Sequence, residues 1–223
     1  LKADDFFRLR EHADKIGIEF LSTAFDLRSL DLLMKIGVKR LKIPSGEITN
    51  FPLLAAVAEK GLPVILSTGM STESDIEAAL EVLESDSRMF GSTVLLQCTT
   101  AYPAPLTDAN LAVIPYLKSR FSREVGFSDH TTGLIAAVAA VALGAVVVEK
   151  HLTVDRGLPG PDHLASLDGK GFRLFVNAIV EASLAIGKPT KHPTPSELEN
   201  LEVARKSVYL RRDVKSGQLI VDE

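Results

Sequence analysis

Two segments decide the reading: Gly126-Phe127-Ser128-Asp129-His130 and Val146-Val147-Val148-Glu149-Lys150-His151. Each is a short apolar run that ends in a histidine beside a carboxylate. Continuously apolar strands belong to parallel sheets covered on both faces by helices. Polar residues at their C-terminal ends lie where such sheets carry their chemistry. The two histidines are about 21 residues apart, roughly one strand–helix–strand step, so neighbouring strands can bring both to one site. Either imidazole alone reads equally well as a hydrogen-bonded strand end; two in successive strands favour a shared site.

The pattern extends outward from these segments. Strands are expected near Ile18–Ser22, Arg40–Ile43, Pro63–Ser67, Thr93–Gln97, Glu124–Phe127 and Ala145–Glu149. Amphipathic stretches at Asp4–Ile16, Leu27–Ile36, Pro52–Lys60, Ser74–Leu83, Leu134–Leu143 and Gly171–Ile186 read as helices, several followed by a capping glycine. Alternating strands and helices demand a parallel sheet with right-handed crossovers. The even cadence fits a (β/α)8 TIM barrel, of which six of eight strands are seen; an open doubly wound sheet is the alternative. Every expected strand ends in polar residues, which favours the barrel, because an open sheet needs such ends only at its switch point.

Composition narrows the function classes. The chain has 223 residues, 46% of them hydrophobic, with a formal net charge of −4, which argues against a nucleic-acid surface. No apolar run approaches the roughly 20 residues of a membrane span, and no leader pattern is present. The single cysteine, Cys98, suits a reducing cytoplasm. Residues 1–187 are read as the barrel. The Pro- and Lys-rich stretch opening 188–204 reads as a linker, and 205–223 as the start of a second domain, with short strands at Ser207–Leu210 and Gln218–Val221.

The strand ends also differ in chemistry. Lys42 ends an apolar strand and could hold a phosphate or carboxylate, though a lysine snorkelling at a rim is as good a reading of that residue alone. Ser45-Gly46-Glu47 offers a hydroxyl and a carboxylate, and Ser67-Thr68-Gly69 offers hydroxyls and backbone N–H groups near a helix start. Glu149 follows three valines and needs a cation or metal nearby. Asp162 lies in a Pro/Gly-rich loop, where it is either an ordinary loop aspartate or a ligand over the site.

Taken in order, Phe20–Phe25, Lys42–Glu47, Leu66–Met70, Gln97–Pro105, Gly126–His130, Glu149–His151 and Pro159–Asp162 resemble the N-acetylneuraminate (sialic acid) synthase family, including its legionaminic, pseudaminic and spore-coat polysaccharide branches. The resemblance implies a TIM barrel followed by a small antifreeze-like domain, in a domain-swapped homodimer. It implies condensation of phosphoenolpyruvate with an open-chain N-acetylated hexosamine to a nine-carbon 2-keto acid plus phosphate, assisted by Mn2+ or Mg2+. By position, it implies that His130 and His151 ligate the metal and that Thr23, Lys42, Ser45, Ser67 and Ser128 hold phosphoenolpyruvate. Thr100, Tyr102 and Asp162 fall at the sugar, and Glu47 and Glu149 at the catalytic carboxylates. Thr100 stands where mannosamine-using members tend to carry Asn, and the Thr-Thr form is more like the diacetamido-sugar branch.

Against the family pattern, two barrel strands and most of the antifreeze-like domain are expected to lie outside this chain. A Schiff-base aldolase using Lys42 or Lys150, and a sugar-acid-binding barrel without activity, are the competing readings.

Overall fold

The computed structural model describes residues 1–219. Five strands, β1 (Leu41–Ile43), β2 (Val64–Ser67), β3 (Thr93–Cys98), β4 (Val125–Asp129) and β5 (Val148–Lys150), lie in one sheet in chain order. All four pairings are parallel, with Ile43 opposite Leu66, Ser67 opposite Leu96, Cys98 opposite Ser128, and Asp129 opposite Lys150. A doubly wound sheet reverses its strand order at a switch point. This one never does, and it is a parallel α/β half-barrel of five strands.

The expected first strand, Ile18–Ser22, is not formed, so five strands replace six. The chain there meets β1 through one main-chain bridge just after the segment, Thr23 to Lys42, and its Glu19 pairs with Arg40, the residue before β1, at 2.6 Å. Ile18 is 59% exposed. An edge segment without continuous ladder bonds or a covered apolar face gains too little to become a strand.

Around the sheet run α1 (Ala3–Ile16), α2 (Leu27–Ile36), α3 (Phe51–Ala58), α4 (Glu73–Leu83), α5 (Val113–Phe121), α6 (Ile135–Ala142) and α7 (Gly169–Ile186). Local chemistry sets their ends. Asp26 accepts the Ser29 N–H before α2, and Gly37 follows it at φ 78°. Thr72 and Asp75 form a reciprocal cap at the start of α4. α5 is a helix not expected from the sequence; its Pro115 falls in the first turn, where a missing N–H is tolerated. Leu30, Leu33, Leu54, Ile76, Leu80, Ile114 and Leu117 of these helices bury against Leu41, Ile43, Leu66, Leu95, Val125 and Phe127. Each such side chain contributes roughly 1.5–3 kcal/mol of burial free energy.

The chain divides into two compact units, one spanning Leu1–Ile186 and one beginning at Gly187. Within the second, part of the stretch read as a linker is helical: α8 (Pro195–Ala204). Thr194 and Glu197 cap it reciprocally and Pro195 opens it, so the prolines that suggested a linker include a helix start. Ser207–Leu210 forms no strand, and Gln218–Val221 runs beyond the described residues. No helix among the described residues is long and apolar enough to cross a membrane.

Gly126 is where the sheet tolerates no side chain. A Cβ there would lie 2.5 Å from the Val147 carbonyl oxygen and 2.6 Å from Leu96 Cδ2. Gly126→Ala is therefore expected to destabilise by about 1–3 kcal/mol. Gly169→Ala, with nothing within 4 Å of the added carbon, should stay within about 0.5 kcal/mol. Urea unfolding midpoints check both.

Candidate active site

Pleating sorts the residues at the ends of β4 and β5 onto two sides. Ser128 and Glu149 meet on the mouth side, where Ser128 Oγ donates to Glu149 Oε1 at 2.6 Å. Glu149 Oε2 lies 3.6 Å from Lys42 Nζ. The Lys42 ammonium, 8% exposed, also donates to Ser67 Oγ at 2.7 Å and to the Ile43 carbonyl at 3.2 Å. Three strands thus converge on one buried cation.

His130 continues the same line of groups. Its Nδ1–H donates to the Thr99 carbonyl at 2.7 Å, and its Nε2 lies 3.3 Å from Ser128 Oγ. A carbonyl can only accept, so this bond fixes the proton on Nδ1 and leaves the Nε2 lone pair for a ligand. The Ser128 hydroxyl has one hydrogen, which the Glu149 carboxylate takes. The His130 and His151 rings are 5.3 Å apart, centroid to centroid, and nearly perpendicular. Tyr102 packs against both, at 4.3 and 5.4 Å. Asp162 Oδ2 approaches His151 Nδ1 at 4.0 Å from the overlying loop. Burial foremost, and then the neighbouring Cys98, Asp162 and Glu149, raise the Tyr102 hydroxyl above its ordinary pKa, so it stays a neutral phenol.

A second group of the expected residues sits beside this one. Ser45 Oγ accepts the Gly69 N–H at 2.9 Å and lies 3.2 Å from Cys98 Sγ. A Cβ on Gly69 would come within 2.5 Å of Thr100 Oγ1, so only glycine lets these loops close. Thr23 joins through its main-chain bridge to Lys42. Glu47 stands in the 3-10 turn after β1, where its Oε2 accepts Asn50 Nδ2 at 2.6 Å.

Two residues of the opening motifs belong elsewhere. Asp129 and Lys150 pair with each other at 3.0 Å, with side chains 0% and 1% exposed. Asp129 is therefore not a mouth carboxylate beside His130, and Lys150 is not free to attack a carbonyl. The Thr99 carbonyl escaped the sequence reading because a main-chain acceptor leaves no trace in residue types.

The two imidazoles suit a divalent ion. Both stand at strand ends, and one has its outer nitrogen already anchored. Among the described residues no three His, Cys, Asp or Glu side chains are grouped to hold a metal by themselves. Two protein ligands would leave the other positions to substrate and water.

The arrangement defines a barrel-type site with a cation, carboxylates and an imidazole pair at the C-terminal strand ends. The chain belongs to the NeuB family, whose profile matches residues 1–191. It is 44% identical to the N,N'-diacetyllegionaminic acid synthase of Legionella pneumophila over 225 residues, covering all of this chain and 63% of that protein. It is 46% identical to the Campylobacter jejuni synthase of the same name over 208 residues, covering 93% and 62%. The solved N-acetylneuraminic acid synthetase of Leptospira borgpetersenii, in complex with citrate, superposes with a TM-score of 0.83 at 38% identity, covering 91% of this chain and 70% of that one. The chain thus spans less than two thirds of the length of these two curated relatives.

Burial foremost, with the neighbouring His151, lowers the His130 pKa below the ordinary imidazole value, against the Thr99 bond and the Glu149 and Asp129 charges, which raise it. A neutral His130 therefore contributes stability that is present above about pH 6.5. It is lost as pH falls through the lowered folded value, because the unfolded chain takes the proton first. Urea midpoints should drop between pH 7.5 and 5.5, and His130→Gln should shrink that drop.

Proposed function

We propose that this chain carries the catalytic half-barrel of a synthase condensing phosphoenolpyruvate with an N-acetylated amino sugar, releasing phosphate and a nine-carbon 2-keto acid. One observation supports this above all: the line from Lys42 and Ser67 through Glu149 and Ser128 to His130, with His151, Tyr102 and Asp162 beside it. It ranges an anion-binding end against an imidazole end within one mouth.

Lys42 and Ser67, with the Ser45 hydroxyl and Gly69 backbone nearby, bind the phosphate and carboxylate of phosphoenolpyruvate. Thr23 and Ser128 border that subsite. His130 and His151 would hold Mn2+ or Mg2+, which when bound supplies Lewis acidity to the sugar aldehyde. The neutral Tyr102 phenol and the Asp162 carboxylate orient the open-chain sugar by hydrogen bonds, beside Thr100. The new bond joins C3 of phosphoenolpyruvate to C1 of the sugar. Glu47 protonates the resulting alkoxide or assists water attack at C2, after which phosphate leaves. Glu149 holds Ser128 and balances Lys42 while these charges move. Thr100 and the two diacetyllegionaminic acid synthases among its relatives favour a 2,4-diacetamido-trideoxyhexose over N-acetylmannosamine. A homodimer in the cytoplasm completes the reading.

Phosphate release from phosphoenolpyruvate by the protein that carries this chain, with Mn2+ and each sugar in turn, tests the proposal. Release is expected with the diacetamido sugar, loss of it in His130→Ala, and about a 10- to 100-fold rise in KM for phosphoenolpyruvate in Lys42→Met, from losing a charge-assisted contact. Metal-independent release that survives His130→Ala, or borohydride trapping of pyruvate on Lys42, would overturn it.

A further inference from the structure

The Asp129–Lys150 pair lies on the side of β4 and β5 away from the mouth. Asp129 Oδ2 accepts from Lys150 Nζ at 3.0 Å, and Oδ1 accepts from the Thr131 N–H at 2.8 Å and Thr131 Oγ1 at 2.7 Å. Lys150 donates also to the Thr131 carbonyl, and its Nζ stands 5.8 Å from the Phe175 ring centroid on α7. The two residues are direct partners across the ladder. Their chain neighbours are the site: Ser128 and His130 on one strand, Glu149 and His151 on the other.

What fixes that pairing is not apolar packing. Val146, Val147 and Val148 are identical side chains in a row; Val146 is exposed, and Val147 and Val148 are only half-buried. Sliding such a run by one residue presents the same valine surface to its neighbours. It would, however, turn Glu149 and His151 away from the mouth and bring Lys150 into it. A buried, hydrogen-bonded ion pair distinguishes the registers, because any slip strands two charges in the interior.

We propose that Asp129 and Lys150 are positioning residues, a cross-strand lock that sets the spacing of His130 and His151. The inference rests on the reading that both histidines act on one ligand. It predicts that the pair governs the histidines more than it governs stability, since apolar replacements of buried ion pairs are often neutral or stabilising.

The test replaces both partners with apolar residues, Asp129→Leu with Lys150→Met, in the protein that carries this chain. Two readouts follow: solvent exchange of the His130 Nδ1–H by NMR, and Mn2+ binding by paramagnetic resonance. The double variant should unfold cooperatively near the parent midpoint. Its Nδ1–H should exchange at least about tenfold faster, and its Mn2+ affinity should fall at least about tenfold, the scale expected for lost support of a metal-ligating histidine. Lys150→Arg, which keeps the cross-strand charge, should hold both within about threefold. Should the double variant not fold, Asp129→Asn carries the test, because its amide oxygen still serves Thr131 while the charge is gone. Glu84→Gln is the stability control, breaking another buried ion pair, with Arg123.

A folded double variant, or Asp129→Asn, with the Nδ1–H still protected and Mn2+ bound as before would overturn the proposal. So would Glu84→Gln speeding exchange equally, which would make the effect one of stability alone. If the unaltered protein binds no Mn2+, the metal part of the proposed function falls, and the exchange readout alone decides the lock.

Discussion

The contact between Lys42 and Glu149 is the constraint on which the rest of the first unit turns. Lys42 belongs to β1 and Glu149 to β5, the two outer strands of the sheet. Laid flat, four interstrand spacings would hold these strands about 19 Å apart, farther than the two side chains can jointly reach. Their 3.6 Å approach therefore requires the sheet to curl, mouth side inward. Curvature in turn gathers Ser67 from β2 and Ser128 from β4 beneath the same charges. The barrel wall and the site are one geometric fact: a sheet that did not close around Lys42 would leave an ammonium buried with only neutral acceptors, at considerable cost.

That fact also explains which parts were legible in the sequence. Strand existence followed from apolar runs, and β1 to β5 all fall within or beside the expected ranges. Ile18–Ser22 has the same composition and is not a strand, because strand formation needs a partner along its length and composition cannot report one. The reverse error occurred at α5 and α8. Pro115 and Pro195 look like breakers by type, yet both sit in a first turn, where proline is harmless.

For the site, residue type and strand-end position were enough to nominate Lys42, Ser67, Ser128, Glu149, His130 and His151, and the structure gathers all six. What type could not supply was the side of the strand. Asp129 and Lys150 are as polar as their neighbours and stand in the same two motifs, but the pleat sends them to the helical layer. Alternation was obscured because the reading treated each strand end as one cluster; a strict period of two would have separated them. Glu47 is the opposite case. It lies outside any strand, in a 3-10 turn, so no pleat argument applies; residue type offered it as a carboxylate near the end of β1, and only the resemblance gave it a catalytic role.

The proton on His130 shows how far main-chain geometry controls this chemistry. The Thr99 carbonyl, which orients the ring, also accepts the Ala101 N–H, and the Thr99 hydroxyl is tied to the Asp108 carbonyl at 2.6 Å. The Ala104 N–H in turn donates to the His130 carbonyl at 2.8 Å. The loop after β3 and the end of β4 are thus stitched at both the ring and the backbone of one residue. Tyr102, carried on that loop, can press against both imidazoles only because the stitching holds. A loop free to move would release the ring to exchange its tautomer, which would put the proton on Nε2 and remove the lone pair that faces the mouth. The lone pair offered to a ligand is therefore a property of the β3–β4 loop as much as of the histidine.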